Sequence, residues 1–230
     1  MELLAVRTAR LIAYLNAEEL NPEGRPIAHD FFNAFTERYS FLKRPMTADE
    51  ILDPQNKGIT FETGKLGDVG IDRVTLFNWG VVIETSASTD ASENVLQDIL
   101  SWGIKTFGLS SRPTLITQRS YVSELVFSSN IWLPSLNPSL TALGTKITNL
   151  VAGYLGESLS YEVVGFGLAF DPTKTKQTFT PFRVERLADT SFASKKYYSG
   201  APLKTSDHVE LIRELELAFP SAEVLPLPIE

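Results

Sequence analysis

The sequence predicts an α+β fold: a mostly antiparallel sheet with helices packed on one face, in a split β-α-β-like order, preceded by an N-terminal helical segment. Three observations lead there. Hydrophobic spacing is helical up to the turn cluster Asp53-Pro54-Gln55-Asn56-Lys57-Gly58 and changes beyond it to β-branched and aromatic runs. Past that boundary, strand-like runs alternate with long apolar stripes at helical period. Hairpin signals join consecutive strand-like runs, as antiparallel neighbours require.

Taken in order, residues 1 to 16 read as an amphipathic helix, because Leu4, Leu11, Ile12 and Leu15 fall on one helical face. Asn21-Pro22-Glu23-Gly24 breaks the chain. Phe31, Phe32, Phe35 and Tyr39 then make residues 28 to 40 an aromatic helical face, which core packing explains better than a cofactor box. Thr47-Ala48-Asp49-Glu50 has the form of a capping box ahead of Ile51 and Leu52.

Beyond the turn cluster, residues 59 to 62, 71 to 77 and 81 to 85 read as strands. Asn78-Trp79-Gly80 forms a hairpin turn in which Asn and Gly would tolerate positive φ. The clearest helix follows, with Asp90 as cap, Glu93 closing the box, Val95, Leu96, Ile99, Leu100, Ile104 and Phe107 as its stripe, and Gly108 as its end. Residues 121 to 127 are a strand. Leu140, Leu143, Ile147, Leu150, Val151 and Tyr154 mark another helix ended by Gly156. Residues 161 to 170 and 179 to 187 form a hairpin pair across Asp171-Pro172-Thr173. A last helix begins at Thr205 or Ser206 and stops at Pro220. No repeat with a period of about 20 to 50 residues is visible.

These elements divide the chain into a helical segment at 1–56 packing on an α+β domain at 57–220, with an extended tail at 221–230. A chain of 230 residues with 43% hydrophobic content is enough for one large core. Cysteine is absent, which excludes disulfides, thiolate metal sites and cysteine nucleophiles. Residues 1 to 20 lack a secretory pattern, and no apolar run is long enough to span a bilayer, so a cytoplasmic protein without a membrane partner is expected. The net charge of −7 disfavours nucleic acid as a partner.

Catalytic motifs fail when tested. Gly58 and Gly64-Lys65 approach a phosphate loop, but Leu66 stands where its hydroxyl belongs. Gly165-Phe166-Gly167 begins a dinucleotide fingerprint that Phe170 interrupts. With only His29 and His208, neither in an i+4 pair, no metal site and no cofactor are predicted. The most chemically loaded stretch is 182–208, which gathers Arg183, Glu185, Arg186, Lys195, Lys196, Tyr197, Tyr198 and His208 as candidate binding residues. Strand alternation would put Arg183 and Glu185 on one face and Arg186 on the other. The aromatic content, the apolar terminal helices and the missing motifs favour an interaction or assembly protein that binds itself or another protein. A hydrolase or transferase with its site in 182–208 is the alternative, and a single-stranded nucleic-acid binder the third reading.

Overall fold

Residues Glu2–Leu15 form a strand, β1, where the leucine spacing predicts a helix. The computed structural model describes residues 1–15, 17–21, 28–47, 50, 53–110, 112, 115–157, 159–174 and 179–219. Ala9, Leu11, Ala13 and Leu15 are buried, and the residues between them are half-buried, which is a period of two. Leu11 and Leu15 are four apart, a spacing that suits a helix face and a strand face equally. Pairing decides between them, because Ala9 to Tyr14 lie opposite Gly80 to Thr85 in antiparallel register. The rest of the first 56 residues does contain helix: α1 (Ala17–Leu20) and α2 (Ala28–Tyr39). The break at 22–24, most of the Thr47 to Leu52 box and the 221–230 tail lie outside the described residues. Of that box, Glu50 does accept the Thr47 N–H at 2.9 Å.

The strands of the expected antiparallel sheet are present, and the chain divides into two compact units. The larger comprises Val6–Glu124 and Pro202–Ser206. In it β2 (Ile59–Leu66), β3 (Val69–Phe77) and β4 (Gly80–Thr85) form an antiparallel meander that continues to β1 and then β5 (Ile116–Ser128). Gly64-Lys65 therefore sits inside a strand, with no phosphate loop around it.

The 77–81 hairpin forms as predicted, but by another mechanism. Neither Asn78 nor Gly80 is among the positive-φ residues. Gly80 is needed for close approach, since a Cβ there would lie 2.3 Å from the Ala13 carbonyl oxygen of β1. The helix α3 (Thr89–Phe107) starts two residues earlier than expected. Ser88, not Asp90, is its cap and accepts the Ala91 N–H, while Glu93 takes the Tyr121 hydroxyl at 2.5 Å instead of closing a box. Gly108, at φ 63°, ends it.

The aromatic face of α2 is core. Phe35 and Tyr39 are fully buried, and Trp102 of α3 meets Phe31, Phe35 and Tyr39 at 5.6, 6.0 and 6.2 Å. Asp98 ties the two helices by accepting from Tyr39 Oη at 2.6 Å and Arg38 at 2.8 Å. Across the sheet one row of side chains alternates in charge. Lys43 lies opposite Glu62, Glu62 opposite Arg73, Arg73 opposite Glu84, and Glu84 opposite Arg10. Ion pairs close three of these steps, at 3.1, 3.0 and 2.7 Å. Thr89 and Thr205 cap each other, each hydroxyl accepting the other's N–H at 3.0 and 2.9 Å.

The smaller unit comprises Met1–Ala5, Leu125–Ala201 and Asp207–Glu230. Its elements after β5 are α4 (Pro138–Leu155), β6 (Gly165–Leu168), β7 (Phe182–Arg186), β8 (Lys196–Ala201) and α5 (Thr205–Ala218), with neighbours in the order β5-β8-β7-β6. The predicted 161–170 and 179–187 strands are present in shortened form as β6 and β7. β8 is an additional strand, because its leading lysine and its Ser-Gly-Ala end carry no apolar alternation. Asn137 caps α4 with Pro138 in its first turn, and Gly156 at φ 71° ends it. Leu125, Phe127, Leu133, Val184, Tyr197 and Ile212 are buried at the centre of this unit. Glu216 binds the Met1 ammonium, the Ser129 hydroxyl at 2.7 Å and the Asn130 N–H at 3.0 Å. Burial works to raise its pKa, but these donors outweigh that and hold it below the usual carboxylate value.

Candidate functional site

The loaded 182–208 stretch splits between surface and interior. Alternation along β7 puts Arg183 and Glu185 together, 4.0 Å apart, with Val184 buried on the other face. Arg183 also donates to the Tyr198 hydroxyl at 3.1 Å and lies 5.0 Å from its ring. Arg186 is turned inward, with its side chain only 12% exposed. It donates to the Phe192 carbonyl and to Glu162, both at 3.1 Å, and stacks on the Phe192 ring at 4.2 Å. Lys195 bonds Asn130 at 2.9 Å, and Lys196 is exposed. The cations of this stretch are thus spread over several local partners and do not converge on one concavity.

Tyr197 and His208 are buried. The Tyr197 hydroxyl donates to the Ile131 carbonyl at 2.9 Å, its ring stacks on Phe127, and burial raises its pKa. His208 lies in the first turn of α5 and is fully buried. Its Nε2 is 2.8 Å from the Ser199 hydroxyl, and that hydroxyl is 2.7 Å from the Arg183 carbonyl. A carbonyl can only accept, so the single Ser199 proton points to Arg183, and His208 Nε2–H donates to Ser199. In this arrangement the imidazole cannot take the serine proton as a base would, and the pair joins α5 to β8 and β7 structurally.

Exposed apolar surface is what the smaller unit offers instead. All but three of the exposed large hydrophobic side chains among the described residues belong to it, the three being Leu42, Met46 and Trp79. The centre of this surface is α4. Leu140, Leu143, Leu150 and Tyr154 are 45, 51, 49 and 79% exposed, and Ile147 between them is half-buried. Their spacing of three, four, three and four residues is the a/d seam of a helix that packs lengthwise on another helix. Gly144, against the Tyr161 carbonyl, and Thr148, bonded to the Tyr161 N–H, hold the adjacent side of α4 to its own unit, leaving the seam bare. The sequence marks this stripe as a helix face and leaves its covering open, because periodicity is the same whether a stripe is covered or not.

A groove of about 810 Å³ in the larger unit lies beside Phe41, Leu42, Met46 and Gly58. Of its charged side chains, Lys43 pairs with Glu62, Arg44 bonds Asn33, and Glu50 accepts the Met46 and Thr47 N–H groups. Among the described residues no three His, Asp or Glu side chains gather as metal ligands would, and no helix is long and apolar enough to cross a membrane. No protein-family model matches the chain, and comparison with characterised proteins finds no significant match.

Proposed function

We propose that this chain is an assembly protein that acts by self-association, and that α4 is its docking element. The observation that carries the reading is the bare 3-4-3-4 seam from Leu140 to Tyr154. Lone exposed leucines are ordinary on protein surfaces, but an aligned seam of this length leaves buriable area in water. With side chains of roughly 200 Å² each, the exposed fractions along α4 amount to about 570 Å², and Leu159, Tyr161, Val164 and Leu168 of the same unit add about 430 Å², against the roughly 800 Å² that one partner contributes to a stable interface. α4 carries no acidic residue and a single cation, Lys146, so two copies of a chain with net charge −7 meet there with little repulsion.

Light scattering coupled to size exclusion tests the reading. The unaltered chain should elute with at least twice the monomer mass at micromolar concentration, and Leu150→Glu should return it to monomer with its circular dichroism unchanged. A monomeric mass for the unaltered chain at high micromolar concentration refutes self-association.

A further inference from the structure

We infer that the chain is an internal duplication, and that one flank of the α4 seam, at Ile147, Val151 and Leu155, is the counterpart of a surface the larger unit covers with its own α3. The occupant of the seam is therefore α4 of a second copy. The inference rests on the self-association reading and adds to it why the seam is bare and how it is filled.

The two units repeat one topology. The larger runs β1, α2, β2, β3, β4, α3 with neighbours β2-β3-β4-β1, and the smaller runs β5, α4, β6, β7, β8, α5 with neighbours β6-β7-β8-β5. Spacing repeats as well. β4 and β8 are six residues each, and α3 and α5 begin at Thr89 and Thr205, 116 residues apart. α2 ends before Ser40 at φ 53° and α4 before Gly156 at φ 71°, the same separation again. Register follows suit, since Phe61, Val74 and Ile83 lie side by side in one unit as Phe166, Val184 and Ser199 do in the other. A repeat of this length lies well outside the 20- to 50-residue periods of solenoid arrays, which is why no such period is seen.

Equivalent positions then account for the exposure of Leu155 at the flank of the seam. Phe31, Phe35 and Tyr39 of α2 correspond to Ile147, Val151 and Leu155 of α4. Trp102 of α3, which covers all three aromatics, corresponds to Ala218, the last residue of α5. An indole is replaced by a methyl group, and the consequence is visible: Tyr39 is fully buried while Leu155 is 63% exposed. The larger unit fills this space in cis, and in the smaller no described residue of α5 does.

A second α4 fits the vacancy because the seam is nearly self-complementary. Counted from Ile147, Leu140 and Tyr154 stand seven residues to either side, and Leu143 and Leu150 stand four and three. An antiparallel, two-fold pairing sets Leu140 against Tyr154 and Leu143 against Leu150, as an isologous interface requires.

Two experiments on the full chain test this, both read by sedimentation velocity. Ala218→Trp rebuilds the missing cover and should weaken self-association at least tenfold, with Ala218→Leu as a smaller version should the indole not be accommodated. Because the chain has no cysteine, Ile147→Cys introduces a single thiol on the two-fold axis and should give a covalent dimer under mild oxidation. An unchanged dissociation constant in both Ala218 variants, or no crosslink in a chain that is dimeric by mass, overturns the inference. In either case a loss of dimer in Leu150→Glu would leave the self-association reading standing. A dimer that survives Leu150→Glu overturns the reading itself.

Discussion

Replacing Tyr197 by Phe isolates one hydroxyl at the boundary between core and surface in the 182–208 stretch. The ring is 2% exposed and remains stacked on Phe127, 5.6 Å away, so packing is conserved. What is lost is the 2.9 Å bond to the Ile131 carbonyl, which is then left buried without this donor. Leaving a buried polar group unsatisfied costs about 1–3 kcal/mol. For a chain of this size each kcal/mol lowers the melting midpoint by about 2–4 °C. Tyr198→Phe is the control, because its hydroxyl accepts from an exposed Arg183 and should cost less than about 0.5 kcal/mol. Burial raises the Tyr197 pKa, so the folded chain holds this proton more tightly than the unfolded one. That contribution is complete below the unfolded value of about 10 and is lost as pH rises through the folded one, so alkaline destabilisation should be smaller in Tyr197→Phe. Urea titrations followed by circular dichroism at neutral pH and at alkaline pH measure both effects. Equal losses in the two variants, or none in Tyr197→Phe, would refute the assignment of Tyr197 to the interior.

Two further outcomes follow from close contacts. Gly80→Ala should reduce stability by about 1–3 kcal/mol in thermal melts, because its Cβ meets the Ala13 carbonyl and forces β1 from β4. Glu216 is depressed in the folded state, so its contribution is present above the unfolded pKa of about 4.3 and is lost as pH falls through the folded value. Glu216→Gln should therefore be less stable than the unaltered chain at neutral pH and approach it at acid pH, in melts run from pH 7 to pH 3.

Much of the fold was legible where local chemistry is self-sufficient. α3 and α4 announce themselves by long apolar stripes and terminal glycines, and the 77–81 hairpin by its Asn-Trp-Gly turn. β1 was not legible, since alanines at 9 and 13 mark its buried face weakly and Ile12 and Tyr14 add apolar weight to the other. Its strand character comes from a partner some 70 residues away. The candidate surface was half legible: the α4 residues stand out, but their exposure is a matter of tertiary packing that periodicity does not report. The duplication leaves almost no trace in residue identity, as Ile83 against Ser199 and Ser92 against His208 illustrate, because the two units conserve spacing and pairing while their interiors are rebuilt with different side chains.

The alternating row Lys43, Glu62, Arg73, Glu84, Arg10 has a kinetic consequence. Exposed ion pairs add little to equilibrium stability. A two-residue slip between neighbouring strands would keep every side chain on its proper face, so burial alone would not reject it. In this row the same slip removes each affected charge from its opposite number, and the error is penalised as soon as the strands meet. β2, β3 and β4 are local in sequence and can zip early, whereas β1 arrives from far along the chain. Arg10 against Glu84 therefore serves as a proofreading contact for the late strand, and scrambling the charges should slow productive folding more than it lowers the melting point.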